Sequence, residues 1–374
     1  MKKIVIACDS FKESLTGLEA CQAIQKGIKT IDETIETILL PMADGGEGSS
    51  EVLSSAMNLK EVDVSVFNPF HEDVKATYYI NQDVAVMEVA ACCGIALTPV
   101  EKRNPTKMTS YGLGQMMIDA KNRGVKKIIV CLGGSGTNDG GFGMMHALGV
   151  KFYDQDQNIL PCTIDSIEKI TSMDITEANK VLEGITLEVA SDVENTFVGP
   201  KGATLVFGKQ KGATQKQREY LENSLKSWAA IMKNQYGIDL ETTTRTGAAG
   251  GISGTMHILG ASLESGIDII LKNVKFDEVI EGSDLIITGE GSVDSQTIDG
   301  KTISGIALKA QAKNIPVIVL AGRATTDAHN LFDIGVTAMF SIVNEAKSLP
   351  QALLDGHDGL VQTTINVMRL LKMK

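Results

Sequence analysis

The sequence lacks the features that mark several large classes of protein. Its six cysteines form no C-x-x-C pair, and its five histidines show no H-x-H or H-E-x-x-H spacing, which argues against a disulfide framework and a dedicated zinc site. No apolar run approaches the roughly 18 to 20 residues that span a bilayer. Asp9 interrupts the first apolar run too early for the core of a signal peptide. These absences predict a cytoplasmic protein whose cysteines are structural thiols.

The sequence also lacks an excess of basic residues. Lys and Arg number 35 against 46 Asp and Glu, which gives a formal net charge of −11. A chain of that charge without a local basic stripe is repelled by nucleic acid and by anionic lipid, so we expect neither as a partner. Hydrophobic residues make up 43% of the 374 residues, which excludes disorder and allows two or three domains, each with its own core.

Short β-branched runs alternate with helical periodicity along most of the chain, which predicts an α/β protein with a largely parallel sheet. The predicted strands are 3–8, 34–40, 127–132, 186–190, 284–288 and 316–321. The predicted helices are 17–31, 46–57, 111–123, 214–236, 250–260, 303–313 and 349–371. The last helix can pack on its own domain or on a partner, so a homodimer stays open.

Residues 61–89 differ from this pattern. Three alternating stretches, separated by Asn-Pro and Asn-Gln turns, predict an antiparallel meander there. The segments on either side of the middle of the chain give simple β-α-β units. We therefore expect a discontinuous, doubly wound parallel-sheet domain formed by 1–60 and 280–374, and an inserted α/β domain, 61–279, that contains the meander.

Glycine-rich loops with charged residues follow several of the predicted strands. The stretches ADGGEG and NDGGFG share Asp-Gly-Gly-x-Gly, and each follows a strand and opens a helix. Glycine allows close approach, and the free N–H groups of the first helical turn attract an anion. Asp44 and Asp139 in these loops either cap their helices or belong to a site that also holds a metal ion or a lysine.

Further loops add carboxylates and cations. The loop TGEGSVDSQTIDGKT holds Glu290, Asp294 and Asp299 with Lys301, a combination suited to Mg²⁺ and phosphate oxygens. It is not a P-loop, because Ser295 stands where that motif needs glycine. A long stretch without helical or strand periodicity begins at Ser191 and Asp192 and carries three lysines: SDVENTFVGPKGATLVFGKQKGA. Such long stretches inside compact domains tend to be functional loops.

Two common enzyme classes do not fit. The first strand leads into CDSFKESL, which has no glycine, whereas a nicotinamide enzyme needs G-x-G-x-x-G there. GGSGT lacks the flanking pattern of a serine hydrolase elbow. Carboxylates, lysines and anion-binding loops together favour phosphoryl transfer, because its catalysis is mostly positioning and charge neutralisation.

With these residues assembled, the sequence closely resembles the bacterial glycerate kinases of the two-domain type. The resemblance runs nearly end to end through DSFKESLT, PMADGGEGSS, TSYGLGQMM, LGGSGTNDGGFGMMHALG, SDVEN, GPKGAT, FGKQKGA, GAAGG and ITGEGSVDSQTIDGKT. It implies a flavodoxin-like domain, a second α/β domain and an active site in the cleft between them. It also implies ATP, Mg²⁺ and D-glycerate as ligands, and it favours 2-phosphoglycerate as the product.

On this interpretation we expect Asp192 to act as the base, with Asp139 as the next candidate and Lys12 as a catalytic cation. Arg245 is the expected partner of the substrate carboxylate. The expected substrate- and phosphate-binding residues are Asp9, Ser10, Asp44, Gly45, Gly46, Gly133, Gly134, Ser135, Arg245, Gly289, Gly291 and Lys301. The expected metal ligands are Glu47, Glu290 and Asp294.

Two other functions stay open from the sequence. The first is a kinase that acts on another small hydroxy acid or polyol. The second, from a different class, is a two-lobed protein that closes on an anionic metabolite without catalysis. The carboxylates in all of these loops favour an enzyme over the binding protein.

Overall fold

The fold was determined from a computed structural model, which describes residues 1–46, 48–298 and 301–373 and leaves out the side chain of Gln296. The chain divides into two compact units, Met1–Asp44 with Ile267–Lys374, and Gly45–Gly266. We propose that these units correspond to the two predicted domains, whose boundaries the sequence places near residues 60 and 280. No helix within the described residues combines the length and apolar character needed to cross a bilayer.

Mixed α/β structure runs through both units. The strands are β1 Lys3–Cys8, β2 Glu36–Leu39, β3 Lys60–Phe67, β4 Asp73–Ile80, β5 Val84–Glu88, β6 Lys127–Cys131, β7 Lys151–Tyr153, β8 Ser172–Asp174, β9 Thr186–Ala190, β10 Ser262–Glu264, β11 Leu285–Val293, β12 Val317–Ala324 and β13 Val336–Ser341. The α-helices are α1 Gly17–Ile31, α2 Ser49–Met57, α3 Ala90–Cys93, α4 Tyr111–Asn122, α5 Phe142–Ala147, α6 Thr176–Val181, α7 Ala203–Phe207, α8 Gln215–Tyr236, α9 Ile252–Ile258, α10 Gly266–Asn273, α11 Phe276–Val279, α12 Thr302–Ala312, α13 Leu349–Leu354 and α14 Gly356–Leu371. Short 3₁₀ turns lie at Ile95–Leu97, Val100–Lys102, Pro105–Lys107, Ile164–Lys169, Ala248–Gly251, Ser295–Ile298 and Thr326–Ile334.

The first unit is built on a five-stranded sheet in the order β13-β12-β11-β1-β2, and all of its strand pairs are parallel. Counted along the unit, this is the 2-1-3-4-5 order of flavodoxin-like folds. The predicted fold class is therefore confirmed. The central strands read as continuous apolar runs because helices cover both faces of a parallel sheet. Strand order reverses between β1 and β11, and ligands bind at such a switch point, beyond the carboxyl ends of the strands.

The helix predicted over 349–371 differs from the structure. It is two helices, α13 and α14, and the chain turns between them at Asp355, where φ is −87° and ψ is 4°. Gly356 lies so close to the loop after β1 that an added Cβ would be 2.3 Å from Oγ of Ser14. α14 packs on α1 of its own unit, where a Cβ on Gly27 would be 2.6 Å from Cβ of Thr364. The homodimer stays a prediction.

The second unit is built on a six-stranded sheet in the order β10-β9-β6-β5-β4-β3. The pairs β3–β4 and β4–β5 are antiparallel, which confirms the predicted meander, and the remaining pairs are parallel. A two-stranded ribbon, β7 with β8, is added. The core contains the single tryptophan, Trp228, packed edge-on against Phe142 and Phe152. All six cysteines are free thiols, and Cys162 alone among them is not buried.

Candidate functional site

A cavity of about 640 Å³ lies at the carboxyl ends of β1, β11 and β12 in the first unit. This is the position at which the reversal of strand order predicts a ligand. The cavity brings together residues that are far apart in sequence, because β1 pairs directly with β11. The predicted site residues that line it are Asp9, Ser10, Lys12, Asp44, Glu290, Gly291, Asp294 and Lys301.

Carboxyl groups crowd one side of this cavity. The Asp9 carboxylate accepts hydrogen bonds from Oγ1 of Thr302 at 2.7 Å and from the N–H of Ser10 at 2.6 Å. Burial, and next the negative charge of Asp44, raise the pKa of Asp9. Burial, and next Asp9, raise the pKa of Glu290 to about 7. Because the ionised forms of these two carboxyl groups are unfavourable in the cavity, a bound cation or a proton there is favoured.

Basic side chains line the same cavity. Lys12, Lys301 and Arg323 all contribute to its wall, and none of the three forms an ion pair with a described residue. Lys347 also lines it but is paired with Asp355, at 2.8 Å. The three cations without an ion pair are therefore available to an anionic ligand. Arg323 carries no prediction from the sequence, because its strand ends without a glycine-rich loop.

A second cavity, of about 430 Å³, lies within the second unit at the carboxyl ends of β6 and β9. The predicted residues that line it are Gly45, Gly46, Gly133, Gly134, Ser135 and Asp192. Asp192 is the second residue after β9, and its Oδ1 accepts the N–H of Gly266 at 3.2 Å. Gly45 has a φ of +95°, and a Cβ there would be 2.5 Å from Cα of Gly266. Glycine is thus required at this point of the wall.

Lys211 also lines the second cavity, although the sequence assigned it no role beyond positive charge in its loop. Its side chain is buried, and Nζ donates to Oγ of Ser135 at 2.9 Å and to the carbonyl of Thr137 at 2.7 Å. Burial lowers its pKa to about 7, against the opposing effects of Asp139 and Cys93. No local pattern distinguishes Lys211 from Lys209, which is exposed, because burial depends on the distant loop that carries Ser135.

Asp139 lines neither of these two cavities. It is fully buried and accepts hydrogen bonds from the N–H and Oγ of Ser110, both at 2.8 Å, and from the N–H groups of Gly141 and Gly143, both at 3.1 Å. The last two N–H groups belong to the start of α5. This geometry supports the capping alternative for Asp139. Its role as a base stays a prediction.

Three further residues that the sequence places in the site do not line either cavity or are not among the described residues. Arg245 does not line either cavity, and its Nη2 is 2.7 Å from Oε1 of Glu194. Gly289 lies inside β11, where its carbonyl accepts the N–H of Asp9 at 2.9 Å. Glu47 falls outside the described residues, as does Asp299 of the loop after β11. Within the residues that are described, no three His, Cys, Asp or Glu side chains are grouped as metal ligands.

Comparison with known proteins gives a consistent result over the whole chain. The sequence model of the "Glycerate kinase family" matches residues 4–372. A "Glycerate kinase" of Bacillus subtilis (strain 168) is 39% identical over 99% of this chain and 98% of its own. A "Glycerate 2-kinase" of Escherichia coli (strain K12) is 38% identical over 99% and 98%. A crystal structure from Salmonella typhimurium LT2, described as a glycerate kinase 2, superposes with a TM-score of 0.88 at 38% identity, over 99% of this chain and 98% of that one.

The hydrogen bonds of Asp139 lead to a stability prediction. Asp139→Asn places an amide NH₂ among four donors, so at least one buried N–H or O–H loses its acceptor, and we expect the second unit to lose about 2–4 kcal/mol. Fluorescence of Trp228 during denaturant unfolding reports on this unit, because it is the only tryptophan. Asp156→Asn, at an exposed turn, is the control and should change stability by less than about 0.5 kcal/mol. Unchanged stability in the Asp139 variant, together with lost turnover, would favour the role as a base instead.

Proposed function

We propose that this chain, which belongs to the glycerate kinase family, uses ATP as the phosphate donor and D-glycerate as the acceptor. Membership of the family makes it an enzyme that transfers phosphate to an alcohol. The observation that carries the choice of donor is the set of three cations that line the first unit's cavity and form no ion pair within the part of the chain that the structure describes. The relatives named glycerate kinase support the acceptor. The relative named glycerate 2-kinase supports 2-phosphoglycerate as the product.

ATP fits the first unit's cavity by charge and by surface. Lys12, Lys301 and Arg323 can neutralise the triphosphate, in which negative charge spreads over several oxygens during transfer. The wall also includes apolar side chains, among them Val343 and Leu349, which suit the face of an adenine ring. The cavity volume of about 640 Å³ is that of a site for a molecule of nucleotide size.

The residues of this cavity also fit Mg²⁺. A magnesium ion usually takes one or two protein carboxylates together with nucleotide phosphates and water, so it needs no cluster of three protein ligands. The charge of Asp44 raises the pKa of Asp9, and the charge of Asp9 raises the pKa of Glu290, so a bound cation would relieve the cost of ionising these carboxyl groups. Glu290 and Asp294 would hold the ion, which supplies charge neutralisation to the phosphoryl oxygens when bound.

Asp192 is the proposed base in the second unit's cavity. It is the carboxylate that lines this cavity among the described residues, at the end of β9. Its hydrogen bond from the N–H of Gly266 fixes one oxygen in position. The carboxylate would orient the glycerate hydroxyl and accept its proton as the oxygen attacks. We also place the enzyme in the cytoplasm, because its six thiols are free, as is usual in a reducing compartment, and five of them are buried.

The proposed reaction is tested by measuring ADP formation from ATP with D-glycerate, glycerol, L-lactate or no acceptor. We expect ADP formation that depends on D-glycerate, and loss of activity when Mg²⁺ is chelated. Phosphorus NMR of the product then decides the position, since a phosphate on C2 couples to one proton and a phosphate on C3 couples to two. Turnover with another hydroxy acid or with glycerol alone would identify a different kinase. Ligand binding without ADP formation would point to a binding protein.

Asp192→Asn should remove the base while keeping the hydrogen bond from Gly266. We expect kcat to fall by roughly 10² to 10⁴-fold with little change in the KM for ATP. The control is Glu194→Gln, because Glu194 lies two residues away, is exposed and pairs with Arg245. Circular dichroism checks that both variants are folded. Near-normal turnover in a folded Asp192→Asn variant would remove Asp192 as the base.

Lys301→Met should weaken the interaction with the nucleotide. Removal of one charge-assisted hydrogen bond corresponds to an increase of about 10- to 100-fold in the Kd for ATP. Lys309→Met is the matched control, since Lys309 lies on the same helix, α12, but pairs with Asp277 at 2.7 Å and does not line the cavity. Titration calorimetry with ATP measures both. Equal affinity in the two variants would exclude Lys301 from the nucleotide site.

A further inference from the structure

The second unit contains a buried ammonium group that has no carboxylate partner. Lys211 is 3% exposed, and it forms no ion pair with any described residue. Its two hydrogen-bond partners, the hydroxyl of Ser135 and the carbonyl of Thr137, are both neutral. Buried charges in proteins are normally paired, because burial without a counter-ion is costly. Since Lys211 lines a cavity, the missing counter-ion can be a ligand.

The polar groups around Lys211 form a pattern that matches a small hydroxy acid. An ammonium carries three N–H donors, and the described residues accept two from Lys211. Ser135 accepts one of these bonds, so its own O–H is free to donate elsewhere. Asp192 supplies an acceptor on the same cavity wall. Two donors for a carboxylate and one acceptor for a hydroxyl are therefore present together.

We infer that Lys211 binds the carboxylate of the acceptor, and that Ser135 donates the second hydrogen bond to the same group. The inference deepens the proposed function, on which it rests for the identity of the acid, D-glycerate. It gives Lys211 the role that the sequence interpretation gave to Arg245. Arg245 is held instead in its ion pair with Glu194 and does not line this cavity.

Charge favours a carboxylate over a nucleotide phosphate in this cavity. Lys211 is the one basic residue among its described lining residues, and Asp192 adds a negative charge. A triphosphate would bring several negative charges to a single ammonium beside a carboxylate, which is unfavourable. The first unit's cavity offers three cations that form no ion pair with a described residue, and its carboxylates can hold the metal ion that accompanies a polyphosphate. A monoanion thus matches the second cavity, and a polyanion matches the first.

Binding of a carboxylate to Lys211 has a measurable consequence for protons. Burial lowers the pKa of Lys211 to about 7 in the ligand-free protein, although the Asp139 carboxylate opposes this effect. The thiol of Cys93 also faces Lys211, but its hydrogen bond with Cys92 and its burial raise its own pKa, so it stays uncharged. Asp192 faces the same cavity from the end of β9. A bound anion favours the charged ammonium and so raises its pKa. Above pH 7 the protein must therefore take up a proton as the acid binds, and affinity falls by about tenfold per pH unit.

The test is titration calorimetry of the wild-type protein with D-glycerate, in the presence of ADP and in HEPES and Tris, whose ionisation enthalpies differ. We expect uptake of about 0.9 proton per glycerate at pH 8 and about 0.1 at pH 6. Glycerol, which has no carboxylate, should give no uptake. Because this measurement needs no variant, it decides the question even if substitution of Lys211 prevents folding. Glycerate binding without proton uptake at pH 8 would overturn the inference.

The substitution Lys211→Met provides a second test of the inference. We expect the Kd for D-glycerate to rise about 100-fold, the proton uptake to disappear and the Kd for ATP to stay unchanged. Lys209→Met, at the exposed lysine two residues earlier, is the matched control and should behave as wild type. A selective loss of ATP affinity in the Lys211 variant would assign the lysine to the donor and overturn the inference. If D-glycerate binds with proton uptake but no ADP forms with ATP present, the proposed function is refuted and the inference stands. If D-glycerate does not bind, both are refuted.

Discussion

The parallel pairing of β1 with β11 is the contact on which the first unit depends. It aligns Ile4 with Leu285 and Cys8 with Gly289, so two segments from opposite ends of the chain become neighbours in the middle of one sheet. Oγ1 of Thr288 donates to the carbonyl of Ala7, and the N–H of Asp9 donates to the carbonyl of Gly289, which continues the pairing beyond the strand end. The loop after β1 and the end of β11 are thereby fixed next to each other, and they form the wall of the larger cavity.

Both cavities contain buried ionisable groups whose charged form the fold compensates poorly, carboxyl groups in the first and an ammonium group in the second. In the first, burial and neighbouring carboxylates raise the pKa values of Asp9 and Glu290. In the second, burial lowers the pKa of Lys211. A fold selected for stability alone would not retain such groups, since apolar side chains of similar size are usually at least as stable. Their presence is understandable if bound ligands supply the missing opposite charge, and groups with perturbed pKa values in cavities are characteristic of functional sites.

The sequence predicts those features that are encoded locally. Continuous apolar runs predict the buried parallel strands, and alternation with turn residues predicts the meander of β3, β4 and β5. Charged residues after strand ends predict that Asp9, Lys12 and Glu290 share a ligand site, because parallel strands end at the same edge of a sheet. The break at Asp355 was not predictable, because it follows from the approach of Gly356 to Ser14, a residue more than three hundred positions earlier. The burial of Lys211 was not predictable for the same reason, since it depends on Ser135 and Thr137.

The two Asp-Gly-Gly loops show how far a local motif determines a role. Both place an aspartate between a strand and a helix, and both look equally suited to a cap or to a site. At Asp139, the N–H and hydroxyl of Ser110, in a neighbouring loop, both donate to one carboxylate oxygen, and the N–H of Gly141 donates to the other. Asp44 instead lines the larger cavity, where its charge raises the pKa of Asp9. The backbone of the motif opens a helix in both places, but different segments face the two carboxylates: Ser110 donates to Asp139, whereas Asp44 lies close enough to Asp9 to raise the pKa of that residue. Ser110 and Asp9 belong to other segments of the chain, so the motif alone could not have distinguished the two environments.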